Sequence, residues 1–382
     1  MCAIINMTEA STQKLFPLTE RRPISALPFA SRYRMVDFSL SSISHAGMDS
    51  VAIFIGGTGR SVYDHIRRGA EWNLDSRLRG GIFTYSQTYM KQYMIEQTYG
   101  QDDFYSNHKE FLQKSKAEYV VVMGGRFVAN IDYTKLLQEH LETPGDISVV
   151  YKNMETNKIK KHPDERILRM EKDGKLLESY PVKDYIYDEP TLPVSLNVYF
   201  LSVRKMLEII ARSEEEGLRL DADRLVLHYL KDYEVNPQEY TGYLALVDSI
   251  ESYYEANMEL LNKDKFNELF NTQFPIMTKI KNEAPTYYSK TAKVKGSLFA
   301  TGCMIEGTVD HSLIFRKVKV AEDAVVKNSI IMQGSKIGKG AILEYCILDK
   351  NVIIQPGVEL KGSPDNLIVL RKNKEVVSEE EG

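Results

Sequence analysis

The residues that follow one apolar run set the chemistry that this chain could perform. Residues 119–123 read Tyr-Val-Val-Val-Met, and the next three residues are Gly124, Gly125 and Arg126. Magnesium is a hard cation that prefers oxygen ligands, so a glycine followed by a cationic side chain offers it no ligand. The end of this run therefore carries no carboxylate that could hold such an ion.

A second stretch, which follows the first apolar run, is also poorly suited to bind phosphate groups. Residues 6–15 follow Ala3-Ile4-Ile5 and contain no glycine. Glycines in such a turn let backbone N–H groups approach a polyphosphate closely, whereas side chains crowd that approach. Glu9 adds a negative charge in the same stretch. We therefore expect a polyphosphate to bind poorly at this turn.

Composition describes an ordinary globular protein of about two domains. The chain has 382 residues, with 43% hydrophobic and 27% charged residues, and domains commonly span about 100 to 200 residues. A formal net charge of −4 gives no general attraction to nucleic acid, so any anion site must be local. The sequence has no apolar run of 18 residues and no signal-peptide pattern, which predicts a cytoplasmic protein without a membrane anchor.

The three cysteines do not suggest a metal or disulfide framework. Cys2, Cys303 and Cys346 are an odd number, lack CxxC spacing and lie in apolar contexts. We predict three buried thiols.

The elements that must position any site follow from hydrophobic periodicity. Up to about residue 250, short β-rich runs alternate with helical patterns, which favours βαβ units in an α/β, Rossmann-like domain with a mainly parallel mixed sheet. A ligand crevice is then expected at the carboxyl ends of the strands. We place this first domain at residues 1–250.

The remaining chain has a different pattern. Residues 251–285 carry helical periodicity and Pro275, which predicts a helical linker. From residue 286 to 365, aliphatic residues recur about every six positions between turn residues, as in a left-handed parallel β-helix of hexapeptide repeats, with a tail at 366–382. An antiparallel sandwich is the alternative for this region.

Motifs along nearly the whole chain, in the same order, resemble those of ADP-glucose pyrophosphorylase. The resemblance is carried by Phe16-Pro17-Leu18-Thr19, Leu27-Pro28-Phe29, Tyr33-Arg34-Met35-Val36-Asp37-Phe38, Gly47-Met48-Asp49-Ser50-Val51, Asp64-His65-Ile66-Arg67-Arg68-Gly69, Ala117-Glu118-Tyr119-Val120-Val121, Tyr243 and Glu255-Ala256-Asn257-Met258. Each motif is weak alone, but together with the hexapeptide array they are specific. This family joins ATP and glucose 1-phosphate into ADP-glucose and pyrophosphate for glycogen or starch synthesis.

The family's catalytic residues are replaced at most positions. Its metal carboxylate in a Gly-Asp-His pattern falls on Gly125, and a second carboxylate falls on Leu246, with Asp248 two residues away. The lysine of its Glu-Lys-Pro falls on Tyr180, with Lys183 nearby but out of register. The resemblance thus implies no catalytic residue and no metal ligand in this chain, with Mg²⁺ expected only in a catalytic partner.

One residue of the sugar site is retained, and one more is lost. Ser195 matches a serine of the family's sugar site, so it marks a residual sugar-phosphate site. A further lysine of the family falls on Ile24. One match among several losses is not a catalytic site.

Basic residues that bind phosphorylated effectors in the family are better retained. Arg21, Arg22 and Arg34 align with those cations, and Lys350 stands where the family carries an arginine. Guanidinium groups donate paired, charge-assisted hydrogen bonds to phosphate oxygens. The structural alternatives are a solvated turn for Arg21 and Arg22, a salt bridge with Asp37 for Arg34, and an exposed turn for Lys350.

Three functions are compatible with these observations. The leading hypothesis is a noncatalytic regulatory subunit of a bacterial ADP-glucose pyrophosphorylase that forms a heterotetramer with a catalytic paralogue, with a phosphorylated sugar metabolite as effector and a homo-oligomer also open. The second is an active adenylyltransferase that recruits Asp37, Asp132 or Asp248 to a metal. The third is a β-helix acyltransferase, for which His311 is the only histidine in the array.

Overall fold

The computed structural model describes residues 1–8, 13–57, 59–75, 80–87, 104–171, 176–186 and 188–377. Its amino-terminal part is built on a nine-stranded mixed sheet flanked by helices. The strands before residue 250 are β1 (Cys2–Met7), β2 (Pro28–Phe29), β3 (Tyr33–Arg34), β4 (Ser50–Ile55), β5 (Gly81–Ser86), β6 (Tyr119–Gly124), β7 (Phe127–Val128), β8 (Ile147–Glu155), β9 (Arg166–Met170), β10 (Leu176–Pro181), β11 (Thr191–Ser202), β12 (Val235–Glu239) and β13 (Ala245–Leu246).

The described helices connect these strands and then lead out of the sheet. They are α1 (Met35–His45), α2 (Arg60–Ile66), α3 (Ser106–Ser115), α4 (Tyr133–Glu142), α5 (Thr156–Ile159), α6 (Val203–Glu215), α7 (Ala222–Tyr229), α8 (Ile250–Met258) and α9 (Lys263–Phe270). Several begin at residues that cap free backbone N–H groups. The Asp132 carboxylate accepts hydrogen bonds from the N–H groups of Thr134 and Lys135 at the start of α4.

The sheet has a parallel half and an antiparallel half. Strands β6, β1, β4 and β5 are adjacent and parallel, whereas β11 pairs antiparallel with β6, β8 and β9. Alternate residues of the central strand enter different cores: Ala3 and Ile5 pack on one face, and Cys2 and Ile4 on the other. Strands buried on both faces read as continuous apolar runs, which explains the sequence pattern.

The carboxyl-terminal part is a parallel β-helix with three faces. Its strands are β14 (Tyr287–Tyr288), β15 (Lys293–Lys295), β16 (Leu298–Phe299), β17 (Met304–Ile305), β18 (Thr308–Asp310), β19 (Leu313–Ile314), β20 (Lys319–Val320), β21 (Val325–Lys327), β22 (Ile330–Ile331), β23 (Lys336–Ile337), β24 (Ile342–Glu344), β25 (Cys346–Leu348), β26 (Ile353–Ile354), β27 (Glu359–Lys361), β28 (Ile368–Leu370) and β29 (Glu375–Val376). Every third strand stacks in register on the next coil, giving one six-stranded and two five-stranded parallel sheets.

This part of the chain shows why the short aliphatic pairs recur. Aliphatic residues of successive coils point into the interior, where Ile305, Val320, Ile337 and Ile354 stack on one another. Strands β28 and β29 join the same faces, within the segment predicted to be a carboxyl-terminal tail. A mixed-sheet domain followed by a hexapeptide-type β-helix is the predicted fold class, which is confirmed; an antiparallel sandwich is excluded.

The cysteine prediction is also confirmed, since all three thiols are buried and free. Within the ranges that the structure describes, no helix combines the length and the apolar character needed to cross a membrane.

Candidate functional site

A crevice opens where the parallel strands end, as the topology predicts. The pairing between β1 and β6 ends there with Asn6 beside Gly124. A cavity of 740 Å³ lies next to this point, between α7 and the β9–β10 hairpin, and Arg126, Arg166 and Asn197 line it. This crevice occupies the place expected for nucleotide and sugar phosphate in an α/β sheet.

The position expected for a metal carboxylate is closed by packing. A Cβ atom added to Gly125 would lie 3.0 Å from the Ser25 Cβ and 3.4 Å from the Asn6 carbonyl oxygen. Contacts this short require a neighbour to shift, and a carboxylate needs further room beyond Cβ. The backbone at Gly125 therefore fits a glycine, with Ser25 packed against it.

The cation that follows Gly125 is held by an acidic residue. The Arg126 guanidinium lies 3.2 Å from the Glu165 carboxylate, which is buried. The Asn197 amide also donates to Glu165, at 3.3 Å. A fixed guanidinium thus faces the crevice near the strand end where the resemblance places a divalent ion.

The other polar group at the strand ends is an amide paired with a carboxyl. Asn6 Nδ2 donates to Asp223 Oδ1 at 2.6 Å. Burial raises the pKa of Asp223, and the neighbouring Asp221 carboxylate acts in the same direction. A carboxyl with a raised pKa is a weaker ligand for a cation than an exposed aspartate, because binding requires the ionised form.

A magnesium ion does not fit this donor set. Among the described residues, no group of three or more His, Cys, Asp or Glu side chains is arranged to hold a metal. The crevice combines Gly125, the Arg126 guanidinium and the shielded Asp223 carboxyl. These groups do not provide the oxygen ligands that Mg²⁺ prefers. We derive no metal-dependent step for this chain.

The aspartates that an atypical enzyme would recruit have other partners. Asp37 accepts hydrogen bonds from the Arg34 N–H at 2.9 Å and from Thr278 Oγ1 at 2.5 Å. Asp132 caps α4. The third, Asp248, lies at the rim of the crevice and accepts from Ser252 Oγ at 3.1 Å.

The residues at and near the family's sugar-phosphate positions are dispersed. Ser195 is buried, and its hydroxyl accepts from the Asn197 N–H at 3.1 Å, so Asn197 rather than Ser195 lines the cavity. Tyr180 donates to Glu178, and Lys183 lies 3.2 Å from Asp164. The glycine-free stretch is only partly visible, because residues 9–12, including Glu9, lie outside the described residues.

A second, smaller cavity lies between the two halves of the molecule. It measures 80 Å³, and its lining includes Arg34 from the first domain and Lys350 from the β-helix. These are two of the four cations predicted to bind an effector. Burial lowers the pKa of Arg34 to about 10 and that of Lys350 to about 7. Each shift is increased by the proximity of other cations.

The other two predicted cations lie elsewhere. Arg22 is buried behind this cavity and forms a salt bridge with Asp349, while its Nε donates to the Leu18 carbonyl at 2.7 Å. Arg21 is exposed and is not among the residues that line the cavity. The structure thus brings Arg34 and Lys350 together and places Arg22 in a supporting position.

Four cations among the described residues of this cavity were missed by the sequence analysis. Arg32, Lys279, Lys281 and Arg316 also line it. Lys279 and Lys281 alternate in the segment after Pro275, and this spacing was the only signal available. Arg316 lies two coils before Lys350 in the β-helix, and only the stacking of coils brings it near. In the part of the chain that the structure describes, six lysines and arginines line the cavity, against one carboxylate, that of Asp64.

The Asp64-His65 and Arg67-Arg68 cluster belongs mainly to the scaffold of this cavity. His65 is buried, and its Nε2 lies 2.5 Å from Asp37 Oδ1. Burial lowers the pKa of His65, with Arg34 and Lys279 adding to the shift. The interaction ties α2 to α1 beneath the cations.

Comparisons with known proteins match both halves of the chain. The nucleotidyl transferase family model matches residues 9–162, and the model of a GlmU-like C-terminal hexapeptide matches residues 284–365. The glycogen biosynthesis protein GlgD of Bacillus subtilis (strain 168) is 32% identical over 371 residues, which cover 97% of this chain and 96% of that protein. The glucose-1-phosphate adenylyltransferases of Bacillus mycoides (strain KBAB4) and Bacillus anthracis are each 26% identical over 382 residues, covering 98% of both chains.

Proposed function

Because the chain belongs to the family of GlgD and the glucose-1-phosphate adenylyltransferases, or ADP-glucose pyrophosphorylases, we propose that it is a regulatory subunit in glycogen biosynthesis. In this role it assembles with a catalytic paralogue as a heterotetramer and changes that subunit's activity and effector response. Its own catalytic crevice is impaired, and no nucleotide or magnesium ion binds strongly.

The observation that carries this proposal is the closed metal position at the end of β6. Gly125 packs against Ser25 where a carboxylate would be required, and the next residue is a cation, Arg126, that is paired with Glu165. Transfer of a nucleotidyl group needs charge neutralisation on the triphosphate and a positioned metal ion. This crevice offers guanidinium groups without that ion's ligands.

The cavity between the domains supports the regulatory part of the proposal. It retains Arg34 and Lys350 and adds Lys279, Lys281 and Arg316, which together suit a phosphorylated metabolite. Since both domains contribute residues, an anion bound there stabilises one domain arrangement over another. A ligand shifts such an equilibrium by its unequal affinity for the two states.

Neither alternative function finds support in a described contact. Asp37 and Asp132 are engaged in helix capping. Of the three aspartates only Asp248 faces the crevice, and it accepts from Ser252. For an acyltransferase, His311 is an exposed turn residue with a φ of 49°.

Activity assays of the purified chain, alone and co-expressed with a catalytic adenylyltransferase, test the proposal. We expect no magnesium-dependent pyrophosphate release from ATP and glucose 1-phosphate by the chain alone. Co-purification with the catalytic subunit should change its rate or its effector response. Magnesium-dependent turnover by the isolated chain, or a catalytic subunit unaffected by it, would contradict the proposal.

A variant at the cavity separates the effector response from assembly. Arg34→Ala should weaken the response of the mixed enzyme to phosphorylated effectors while leaving co-purification intact. Gel filtration and circular dichroism verify folding of the variant, and Arg21→Ala is the matched control because Arg21 is exposed outside the cavity. Equal effects of both variants would argue against the cavity.

A further inference from the structure

The segment that leads from α9 to the β-helix crosses the first domain without regular secondary structure. Between Asn271 and Ala284, the described chain forms no backbone–backbone hydrogen bond. We call residues 275–281 of this segment the strap. Side chains of the first domain hold the strap, so its position depends on a few individual contacts.

Three polar residues of α1 form a stripe on which the strap is docked. Asp37, Ser41 and His45 are spaced by four residues and therefore lie on one face of the helix. The Met277 N–H donates to Ser41 Oγ at 2.9 Å, and Thr278 Oγ1 donates to Asp37 Oδ2 at 2.5 Å. His45 Nε2 lies 2.8 Å from the carbonyl oxygen of the strap's first residue. The stripe thus contacts the strap along two turns of α1.

Two further contacts hold the strap and connect it to the interdomain cavity. Trp72 Nε1 donates to the Met277 carbonyl at 3.2 Å, and Lys279 Nζ donates to the Asp64 carbonyl at 2.7 Å. The docked strap forms one wall of the cavity. The strap residues that line the cavity are Thr278, Lys279 and Lys281.

The cavity beside the docked strap is small for a phosphorylated metabolite. Its volume of 80 Å³ equals that of two or three water molecules, at about 30 Å³ each. Pockets for small-molecule ligands measure about 300 to 1,000 Å³. A single oxyanion is the largest group that this space suits, so the sugar that carries a phosphate needs one wall to move.

The strap is the wall that moves at the least cost. Its backbone is held by side chains only, and Ile280 and Lys281 at its far end are exposed. The other walls belong to the β2–β3 hairpin, α2 and coils of the β-helix, whose backbones are paired in ladders or helical turns. Segments with few backbone hydrogen bonds open locally at a small fraction of the free energy of global unfolding.

We propose that the strap is a gate of the interdomain cavity, which leaves the stripe on α1 when a phosphorylated sugar enters. The inference rests on the proposed function of the cavity as an effector site. Because Met277, Thr278 and Lys279 are consecutive, release of their contacts moves one wall as a unit. The docked strap competes with the ligand, so the apparent affinity depends on the fraction of molecules whose strap is released.

Trp72 reports the position of the strap. It is the only tryptophan of the chain, it is fully buried, and its indole N–H donates to the strap. Release of the strap removes this hydrogen bond and exposes the indole to solvent. Its fluorescence emission should then shift to longer wavelength, and its quenching by acrylamide should increase.

Fluorescence titrations of the full chain with sulfate and with glucose 1,6-bisphosphate test the gate, and calorimetry measures binding independently. Sulfate is small enough for the closed cavity and should leave the Trp72 emission unchanged. The bisphosphate should bind with a red shift and stronger quenching. Arg34→Ala, which removes a cation of the cavity, should abolish this response and thereby distinguish the cavity from the crevice.

Variants of the stripe change affinity in a direction that a rigid site does not predict. Ser41→Ala removes the acceptor of the Met277 N–H, so the strap is released more often. The bisphosphate should then bind about fivefold more tightly than to the wild type, whereas loss of support for a rigid site would weaken binding. His45→Ala, which removes a less buried contact, should act in the same direction. Ser44→Ala, in the same helix and with no hydrogen bond to the strap among the described residues, is the matched control.

Four results would overturn the inference. They are bisphosphate binding without a change at Trp72, a response that persists in Arg34→Ala, no bisphosphate binding to either the wild type or Ser41→Ala, and an unchanged or weaker affinity in both Ser41→Ala and His45→Ala. Circular dichroism verifies that each variant is folded.

These outcomes are separable from failure of the proposed function. If the chain assembles with a catalytic subunit and changes its rate, but bound bisphosphate leaves Trp72 unaffected, only the inference about the strap fails. If Trp72 responds as expected in a chain that leaves the catalytic subunit unaffected, only the regulatory role is refuted.

Discussion

At the scale of single residues, the molecule keeps several polar side chains in apolar surroundings. His108 is the extreme case: it is fully buried, and its ring stacks on Phe54 with centroids 3.7 Å apart. Burial lowers the pKa of His108 to about 3, so the imidazole is neutral in the folded protein. The pKa of an unfolded histidine is about 6.5. Below that pH the unfolded chain therefore binds a proton that the folded chain does not.

This difference predicts acid sensitivity through His108. Stability should be lost as the pH falls below about 6.5, by up to about 1.4 kcal/mol per pH unit for one histidine. His108→Phe should remove that part of the pH dependence, because phenylalanine fills the same stacked position without titrating. Urea unfolding at pH 7 and pH 5 measures the effect.

A matched variant makes the histidine result specific. His311→Asn changes an exposed histidine at a left-handed turn, where asparagine is tolerated. It should leave the pH dependence of unfolding as in the wild type. An unaltered slope in His108→Phe would show that other groups cause the acid sensitivity.

Gly125 allows a test of whether the metal position can be restored. Gly125→Asp should not confer pyrophosphate release, because its Cβ meets Ser25 at 3.0 Å and Arg126 remains in place. Overpacking at such a site typically costs about 1 to 3 kcal/mol of stability, measurable by urea unfolding. Ser25→Gly with Gly125→Asp should recover part of this loss, and activity in the single variant would refute the closed-site interpretation.

At the scale of elements, helix α8 connects the two halves of the molecule through adjacent tyrosines. Tyr253 Oη donates to the Pro28 carbonyl at 2.5 Å, and Tyr254 Oη donates to the Asn328 carbonyl at 2.7 Å. One residue therefore contacts the first domain and the next contacts the β-helix. The helix also presents apolar residues to a core shared by both parts.

The tyrosine pair predicts a small, measurable cost for each lost hydroxyl. Tyr254→Phe should lower the free energy of unfolding by about 1 kcal/mol, since the partly buried Asn328 carbonyl loses its donor. Thermal or urea unfolding measures this, with Tyr288→Phe as the exposed control. A loss of similar size in the control would mean that the hydrogen bond to the β-helix is not the cause.

At the scale of the whole molecule, one buried ion pair joins the first domain to the β-helix. The Arg22 and Asp349 side chains are 7% and 4% exposed, and their contact lies directly behind the interdomain cavity. Two charges withdrawn from water depend on each other, so loss of one leaves the other uncompensated. The pair fixes how the domains meet and thereby where Lys350 lies.

Breaking this pair should destabilise the protein strongly. Asp349→Ala leaves the Arg22 guanidinium buried without its carboxylate, for which a loss of about 3 to 5 kcal/mol is expected. Lys339→Ala, which removes an exposed partner of Glu322 in the β-helix, should change stability by less than about 1 kcal/mol. Comparable urea midpoints for the two variants would show that the interdomain pair contributes little.

The amino-acid sequence by itself determined the two folds, the crevice at the strand ends and the loss of the carboxylate at Gly125. Periodicity and residue type are local properties, and hydrophobic burial converts them directly into strands, helices and coils. Arg34 and Lys350 could be predicted as cavity residues because a known family places cations at those positions.

Only the tertiary structure decided which cations meet. Arg22 and Arg21 are adjacent in the chain, yet one is buried against Asp349 and the other is exposed. Lys281 and Arg316 join the cavity from a linker and a β-helix coil. The steric closure at Gly125 depends on Ser25, a hundred residues earlier. These contacts depend on how the folded helices, strands and coils pack together. Side chains that are distant in sequence become neighbours only after the domains have docked.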